Sequence, residues 1–289
     1  MSQVVATGAR GASASRAPAT DAQWRWGLLL VPAVAFVAIF FLVPLGEMVS
    51  RSLTEPGPAN YTDFFEAKAY VRVLGNTFKT ALLVTVICVV LGYPYAYAMR
   101  RAGRWGFALL SVALLLPFWS SLLVRTFAWM TILQDTGVIN DVLTGVGIVD
   151  EPVELIRNQV GVVVGMTHIM LPYMVLPLYA VMTRIDLSLT EAAGSLGASP
   201  LRAFRRVFLP LSVPGLTAGA LLVFVLCLGF YITPALLGGP KDVLIGQLIA
   251  DQVSVNVNFG FASAIGIVLL VLTLLVLGVG ARLLRGALR

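Results

Sequence analysis

The sequence predicts an all-α integral membrane protein with six transmembrane helices, and three observations carry that expectation. Hydrophobic residues make up 58% of the 289-residue chain and charged residues only 12%, at a mean hydropathy of +0.91. A soluble domain of this length has no use for so much apolar surface. Six segments are long enough to cross about 30 Å of hydrocarbon, which takes about 20 residues of helix. Finally, the positive charge gathers at alternate ends of those segments.

The first 22 residues, MSQVVATGARGASASRAPATDA, are rich in Ala, Ser and Gly and lack an apolar run, so they are expected to be a disordered tail. No secretory signal is read there, because no apolar core directly follows the charges. The membrane domain is then 23–289, with its first span at 27–49 serving as an uncleaved anchor. Trp24 and Trp26 beside Arg25 suit an aromatic belt and a snorkelling cation. The second and third spans are expected at 75–99 and 105–124, and the fourth at 160–182. The fifth, 212–237, is interrupted by Gly229 and Pro234, and the sixth, 261–284, is the cleanest. Between them, 51–74 and 125–159 mix charge with aromatics such as Tyr61, Phe64, Phe127 and Trp129. These loops suit either an external partner or the membrane surface.

Thirteen of the 20 Lys and Arg residues fall before span one, in loops two and four, or at the C-terminal end of the chain from Arg282 on. They are Arg10, Arg16, Arg25, Arg100, Arg101, Arg104, Arg184, Arg202, Arg205, Arg206, Arg282, Arg285 and Arg289. Of the 14 acids, only Asp21, Asp186 and Glu191 share that side. The positive-inside rule then places both termini and loop four in the cytoplasm. The same dispersal over four membrane edges argues against a nucleic-acid partner.

Loop four, 184–210, is built as a helix pair. Ser188 and Glu191 have capping-box spacing, so a helix is expected to start near Leu189. Leu189, Ala192, Ala193 and Leu196 form one apolar face. Gly197 sits where the helix must stop and can take the left-handed C′ conformation. Ser199 and Pro200 restart helix as N-cap and N1. Leu201, Phe204 and Phe208 share a face of this second helix, and Pro210 is expected to end it. A small-residue face beside an arginine-rich one reads as a docking surface; an amphipathic linker folded back on the bilayer is the alternative.

Several chemistries lack their residues. There is no phosphate-binding G-x-x-x-x-G-K-[ST] loop, no H-E-x-x-H zinc signature and no nucleophile elbow. A single histidine, His168, cannot build a multi-histidine metal site and reads as a hydrogen-bonded helix contact or a pathway residue. Cys88 and Cys227 lie within spans and read as small packing residues. Charged side chains in the expected spans are only Glu47, Lys79 and Arg282, each near an end. An ion-coupled carrier generally needs such groups near the midplane, so an externally driven machine is favoured.

Glu191-Ala192-Ala193, Gly197, Val207 and Leu209-Pro210, at their spacing, resemble the EAA signature of permease subunits in binding-protein-dependent ABC importers. The family usually has isoleucine at the place of Val207. From span one to Gly280 the chain is similar to the spermidine/putrescine branch, through Leu116–Leu133, Leu171–Asp186 and Gly229–Ile249. The resemblance implies a type I ABC importer permease fold in a prokaryotic plasma membrane, paired with a homologous, non-identical second permease. It implies an ABC ATPase dimer that binds the nucleotide, so the chain itself needs no cofactor, and a substrate-binding protein outside. Glu191, Ala192, Ala193 and Gly197 would contact the ATPase, and Leu209 and Pro210 would anchor the loop to span five. A protonated amine suits aromatic faces with a carboxylate, which Trp119, Tyr173, Tyr231 and Asp251 can supply. Each aromatic reads equally as a packing residue, and Asp251 as a solvated loop residue. A stand-alone carrier or channel for a small cationic solute is the other class kept open. An intramembrane hydrolase would need a nucleophile or metal set that the sequence lacks.

Overall fold

The computed structural model describes residues 20–287, with side-chain environments over 30–282. The expectations for 1–19 and for Arg289 lie outside the described residues, and those for the Trp24–Trp26 girdle and Arg285 outside the described side chains. Helix α1 (Thr20–Thr54) takes in the last three residues of the expected tail. The chain divides into two compact units, Met1–Met48 and Val49–Arg289. In the first, the apolar side chains of α1 from Leu30 to Val43 are exposed, as suits residues that meet lipid rather than a protein core.

Every described element of the second unit is helical. The order is α2 (Ala59–Glu66), α3 (Lys68–Arg101), α4 (Arg104–Leu115) with a 3₁₀ turn to Trp119, α5 (Leu122–Leu133), α6 (Val138–Gly145) and α7 (Gln159–Met182). Then come α8 (Ser188–Ser195), α9 (Pro200–Ala203), a wide π turn at Phe204–Phe208, α10 (Leu209–Leu228), α11 (Ile232–Leu237), α12 (Ile245–Ser254) and α13 (Phe259–Ala287).

The centre is a bundle of α3, α7 and α10 around Cys88, Met166, Met170, Met174, Val223 and Cys227, all buried. Helix α7 is apolar on every side, which is the pattern of a helix with neighbours all round. Helix α10 meets it through Gly215 and Gly219. A Cβ at Gly215 would lie 2.8 Å from the Val181 Cβ, and one at Gly219 would lie 2.9 Å from the Met174 carbonyl oxygen. This is the small-x-x-x-small contact that lets membrane helices approach closely. A second cluster, Phe64, Ile245, Phe261 and Ile265, packs α2, α12 and α13 together. Segment 51–74 is therefore folded onto the unit: Phe64 is fully buried and the Ser52 and Tyr61 hydroxyls are hydrogen-bonded at 2.8 Å.

Four expected spans, at 27–49, 75–99, 160–182 and 261–284, are covered by single helices. Two depart. The third span is not one straight helix but a pair, Arg104–Trp119 and Leu122–Gly145, bent by 104°. Ser120 and Ser121 make the bend chemically affordable. The Ser120 hydroxyl donates to the Pro117 carbonyl at 2.8 Å, and the Ser121 hydroxyl accepts from the Val124 N–H at 3.2 Å. One helix end and one helix start are thereby satisfied within apolar surroundings. The bent pair also carries Arg125, which the list of intraspan charges missed by ending the span at 124.

The fifth span stops at Leu228 rather than 237, and α11 is a separate short helix. Pro234 interrupts the expected span less than Gly229 does: it sits in the first turn of α11, where its missing N–H would be unpaired anyway. The two interrupted regions meet: Thr126 of α5 and Thr233 of α11, both fully buried, have their hydroxyls 3.1 Å apart.

Candidate functional site

The 184–210 loop projects from the ends of α7 and α10. Its helix pair forms as expected, but the capping differs. Ser188 is already helical, and the Asp186 carboxylate accepts from the Ser188 N–H at 2.9 Å, so the capping box is not made. The Ser188 backbone N–H, and then its hydroxyl, hold the Asp186 carboxyl below the usual carboxylate range. Aspartate two residues ahead thus does the work expected of serine.

Gly197 ends α8 at φ +84°. The Ala198 N–H reaches the Ala193 carbonyl at 3.0 Å and the Gly197 N–H the Gly194 carbonyl at 2.9 Å, which is the double bond of a Schellman motif. Ser199 has the extended backbone of an N-cap, although its side chain makes no cap hydrogen bond.

Pro210 does not end the second helix. The chain runs helically from Pro200 to Leu228, because the turn at Phe204–Phe208 widens. The Leu209 N–H reaches back to the Phe204 carbonyl, a five-residue step that shifts the hydrogen-bond register just ahead of the proline. Of the expected apolar face, Phe204 and Phe208 turn inward and stack at 5.7 Å, with Tyr97 edge-on to both. Leu201 stays exposed.

The signature residues divide between two sides of the loop. Glu191 lines a cavity of about 250 Å³ with Tyr97, Arg101, Pro200 and Phe204, between the loop and the end of α3. Ala193 and Gly197 line an outer hollow of about 320 Å³ with Leu196, Arg202 and Arg206. The expected apolar face of α8 is uncovered: Leu196 is 89% exposed and Leu189 48%. Leu209 is half-buried and Pro210 exposed.

The four pathway candidates do not converge on one pocket within this chain. Tyr231, 45% exposed, lies in the break between α10 and α11. It lines a cleft of about 490 Å³ with Gly229, Gly246, Ile249, Ser254 and Leu269. Asp251 is on α12, a helix rather than a loop, exposed and outside that lining set. Tyr173 of α7 packs on Phe118 at 5.5 Å, while Trp119 is 81% exposed at the bend between α4 and α5.

Nearby, His168 has neighbours with which the sequence did not pair it. The Trp129 indole N–H donates to His168 Nδ1 at 3.1 Å, which assigns the imidazole proton to Nε2. Arg125 lies over the Phe118 ring at 6.0 Å, and its Nε is buried without a hydrogen-bond partner among the described residues. His168 is thus the helix contact read from sequence, joining α5 to α7. The spacing of Arg125 and Trp129, one helical turn apart, carried the signal.

Fold and loop together define a polytopic helical membrane subunit that presents an uncovered helix pair between two of its spans. The profile of the binding-protein-dependent transport system inner membrane component family matches residues 89–288, and the chain belongs to that family. It is 34% identical over 234 residues to the spermidine/putrescine transport system permease protein PotB of Haemophilus influenzae, covering 81% of this chain and 80% of that protein. The Escherichia coli protein of the same description is 33% identical, over 78% of this chain and 85% of its own length. The inner membrane ABC transporter permease protein YdcU of Escherichia coli is 34% identical over 209 residues, 67% of this chain and 65% of that one. Among solved structures, a chain of a bacterial alginate ABC transporter in complex with a pentasaccharide-bound periplasmic protein superposes with a TM-score of 0.68. It is 19% identical and covers 88% of this chain and 91% of its own, a likeness of fold.

Proposed function

We propose that the chain is a non-catalytic permease subunit of an ATP-driven importer, carrying a polyamine-type cation across a prokaryotic plasma membrane. The observation that carries this reading is the uncovered α8 face, with Leu196 89% exposed on a loop that is otherwise firmly built. So large an exposed apolar side chain beside Arg202 and Arg206 favours a protein partner over solvent. The partner is an ABC ATPase dimer, which binds the nucleotide; Glu191, Ala192, Ala193 and Gly197 form the contact, and Leu209 and Pro210 carry it into α10. A homologous second permease completes the path, and an extracytoplasmic binding protein delivers the solute. Both termini and the 184–210 loop are cytoplasmic, following the cation asymmetry.

The substrate class draws on the spermidine/putrescine relatives and on the Tyr231 cleft. There an aromatic ring stands beside a helix break whose backbone lies against Gly246, a setting in which ring face and carbonyl oxygens can replace the water around an ammonium group. The stand-alone carrier gains something from Arg125, which supplies a charge that the expected spans lacked, close to the proton site of His168. It gives no account of the uncovered loop.

Co-expression with an ABC ATPase, a second permease and a binding protein tests the reading. A stable complex with ATP-dependent uptake of labelled spermidine or putrescine in proteoliposomes is expected. Solute flux by the isolated chain without nucleotide would replace it with the carrier. Cysteines at Ser199 and Asp150, in a background lacking Cys88 and Cys227, check orientation. An impermeant reagent applied outside should modify position 150 and spare 199.

A further inference from the structure

We infer that Arg100 is a positioning residue that clamps both ends of the 184–210 loop to the end of α3, so that loop movement is passed to a helix that the signature does not include. The inference rests on the permease reading above. Arg100 is the penultimate residue of α3, and its guanidinium reaches two segments far away in sequence. Its Nη2 donates to the carbonyl of Ile185, immediately ahead of α8. Its Cζ lies 5.2 Å from the centroid of the Phe208 ring, immediately ahead of α10. Ile185 and Phe208 are both buried, at 8% and 2% exposure, so these are the fixed feet of a loop whose tip is exposed.

One planar group therefore ties entry and exit together, by a hydrogen bond on one side and a cation–π contact with a ring on the other. Lysine reaches both less well, since its ammonium is a compact donor at the end of a flexible stem. The adjacent Arg101 shows the contrast: it donates only to Tyr97 of its own helix and stays exposed. The plain role for a cation here is to complement the carbonyl end of α3. That role needs neither Ile185 nor Phe208. Among the described residues Arg100 Nη1 is buried without a hydrogen-bond partner, so the donors of the group are not all used, and Arg100 holds the loop at both feet.

The test uses the reconstituted complex with ATPase, second permease and binding protein, comparing Arg100→Gln, Arg100→Lys and Phe208→Leu at equal membrane abundance. Solute moved per ATP hydrolysed should fall about fivefold or more in Arg100→Gln, the lower end of usual coupling strengths. Maximal uptake should fall while the KM for solute holds. Arg100→Lys and Phe208→Leu should each show the same uncoupling to a smaller degree, because the first weakens both ties and the second keeps the hydrogen bond. Full rescue by lysine would overturn the proposal, leaving a helix-end cation. Unchanged coupling in Arg100→Gln would do the same. If Arg100→Gln does not accumulate, the lysine and Phe208→Leu variants decide alone. Failure of the wild-type chain to form the ATPase complex would instead sink the permease reading, whatever Arg100 does.

Discussion

The 184–210 loop and the break between α10 and α11 are both interruptions of apolar helix, yet they are held in opposite ways. The loop is shaped from within: Asp186 starts α8, Gly197 stops it, and Pro200 starts the next helix, each acting on neighbours within five residues. The break is shaped from outside. Gly229 and Tyr231 stop and restart the helix where α12 presses against it, and Thr233 is fixed by Thr126 of a different broken span. A self-contained turn can be swung as a piece against a partner. An interruption held by its surroundings changes shape only when those surroundings move. The first suits transmission, the second a passage.

Substitutions at four positions can break or sharpen that contrast. The largest effect is expected where α10 is held by its surroundings. In Gly219→Leu, every side-chain atom starts from a Cβ 2.9 Å from the Met174 carbonyl, which cannot give way as a side chain could. Overpacking of this kind costs about 1–3 kcal/mol or more. Membrane abundance and thermal stability in detergent should drop sharply; a stable, abundant Gly219→Leu would show that α7 and α10 are not rigidly opposed.

Gly197→Val comes next. It forces a β-branched residue to φ +84°, at about 1–2 kcal/mol, while a Cβ there meets nothing within 4 Å. The strain is local, so insertion and abundance should be normal and the loss should appear in substrate-stimulated ATP hydrolysis. Wild-type stimulation would remove the loop from coupling. Tyr231→Ala should then lower amine uptake several-fold, with Tyr231→Phe mild, since a cation–π contact is worth about 0.5–2 kcal/mol. Equal uptake in both would make the ring a packing residue.

The smallest effect is expected at Asp186. Its carboxyl is held below the usual range, so the contribution of the charged form is complete above the unfolded-state pKa and is lost as pH falls through the lowered folded-state value. Amide exchange at the start of α8 should quicken, relative to the intrinsic rate, over that acid window. In Asp186→Ala it should be quick at all pH values. A wild-type rate insensitive to acid in that window would mean that the Ser188 N–H is not held by the carboxylate.

What was legible in the sequence follows the same division. Gly197 and Pro200 act through local backbone rules, and their places were read correctly. The loop's errors were local too: Asp186 outcompeted Ser188 two residues away, and a wide turn let the helix pass Pro210. The bend at Ser120–Ser121 had a readable signal in Pro117 and the serine pair, overridden by the surrounding apolar run. Thr126 with Thr233, Arg100 with Phe208, and Gly219 with Met174 are separated by tens of residues or more, and nothing in one segment announces the other.

The widened turn at Phe204–Phe208 has a mechanical consequence. By keeping the helix unbroken from Pro200 to Leu228, it makes 29 residues a single lever with the loop at one end and the Gly229 break at the other. At 1.5 Å per residue the lever is about 43 Å long, so a tilt of about 5° at the loop would sweep the far end by about 4 Å. That distance is close to the width of an ammonium group with its nearest contacts, and the sweep would be delivered beside Tyr231.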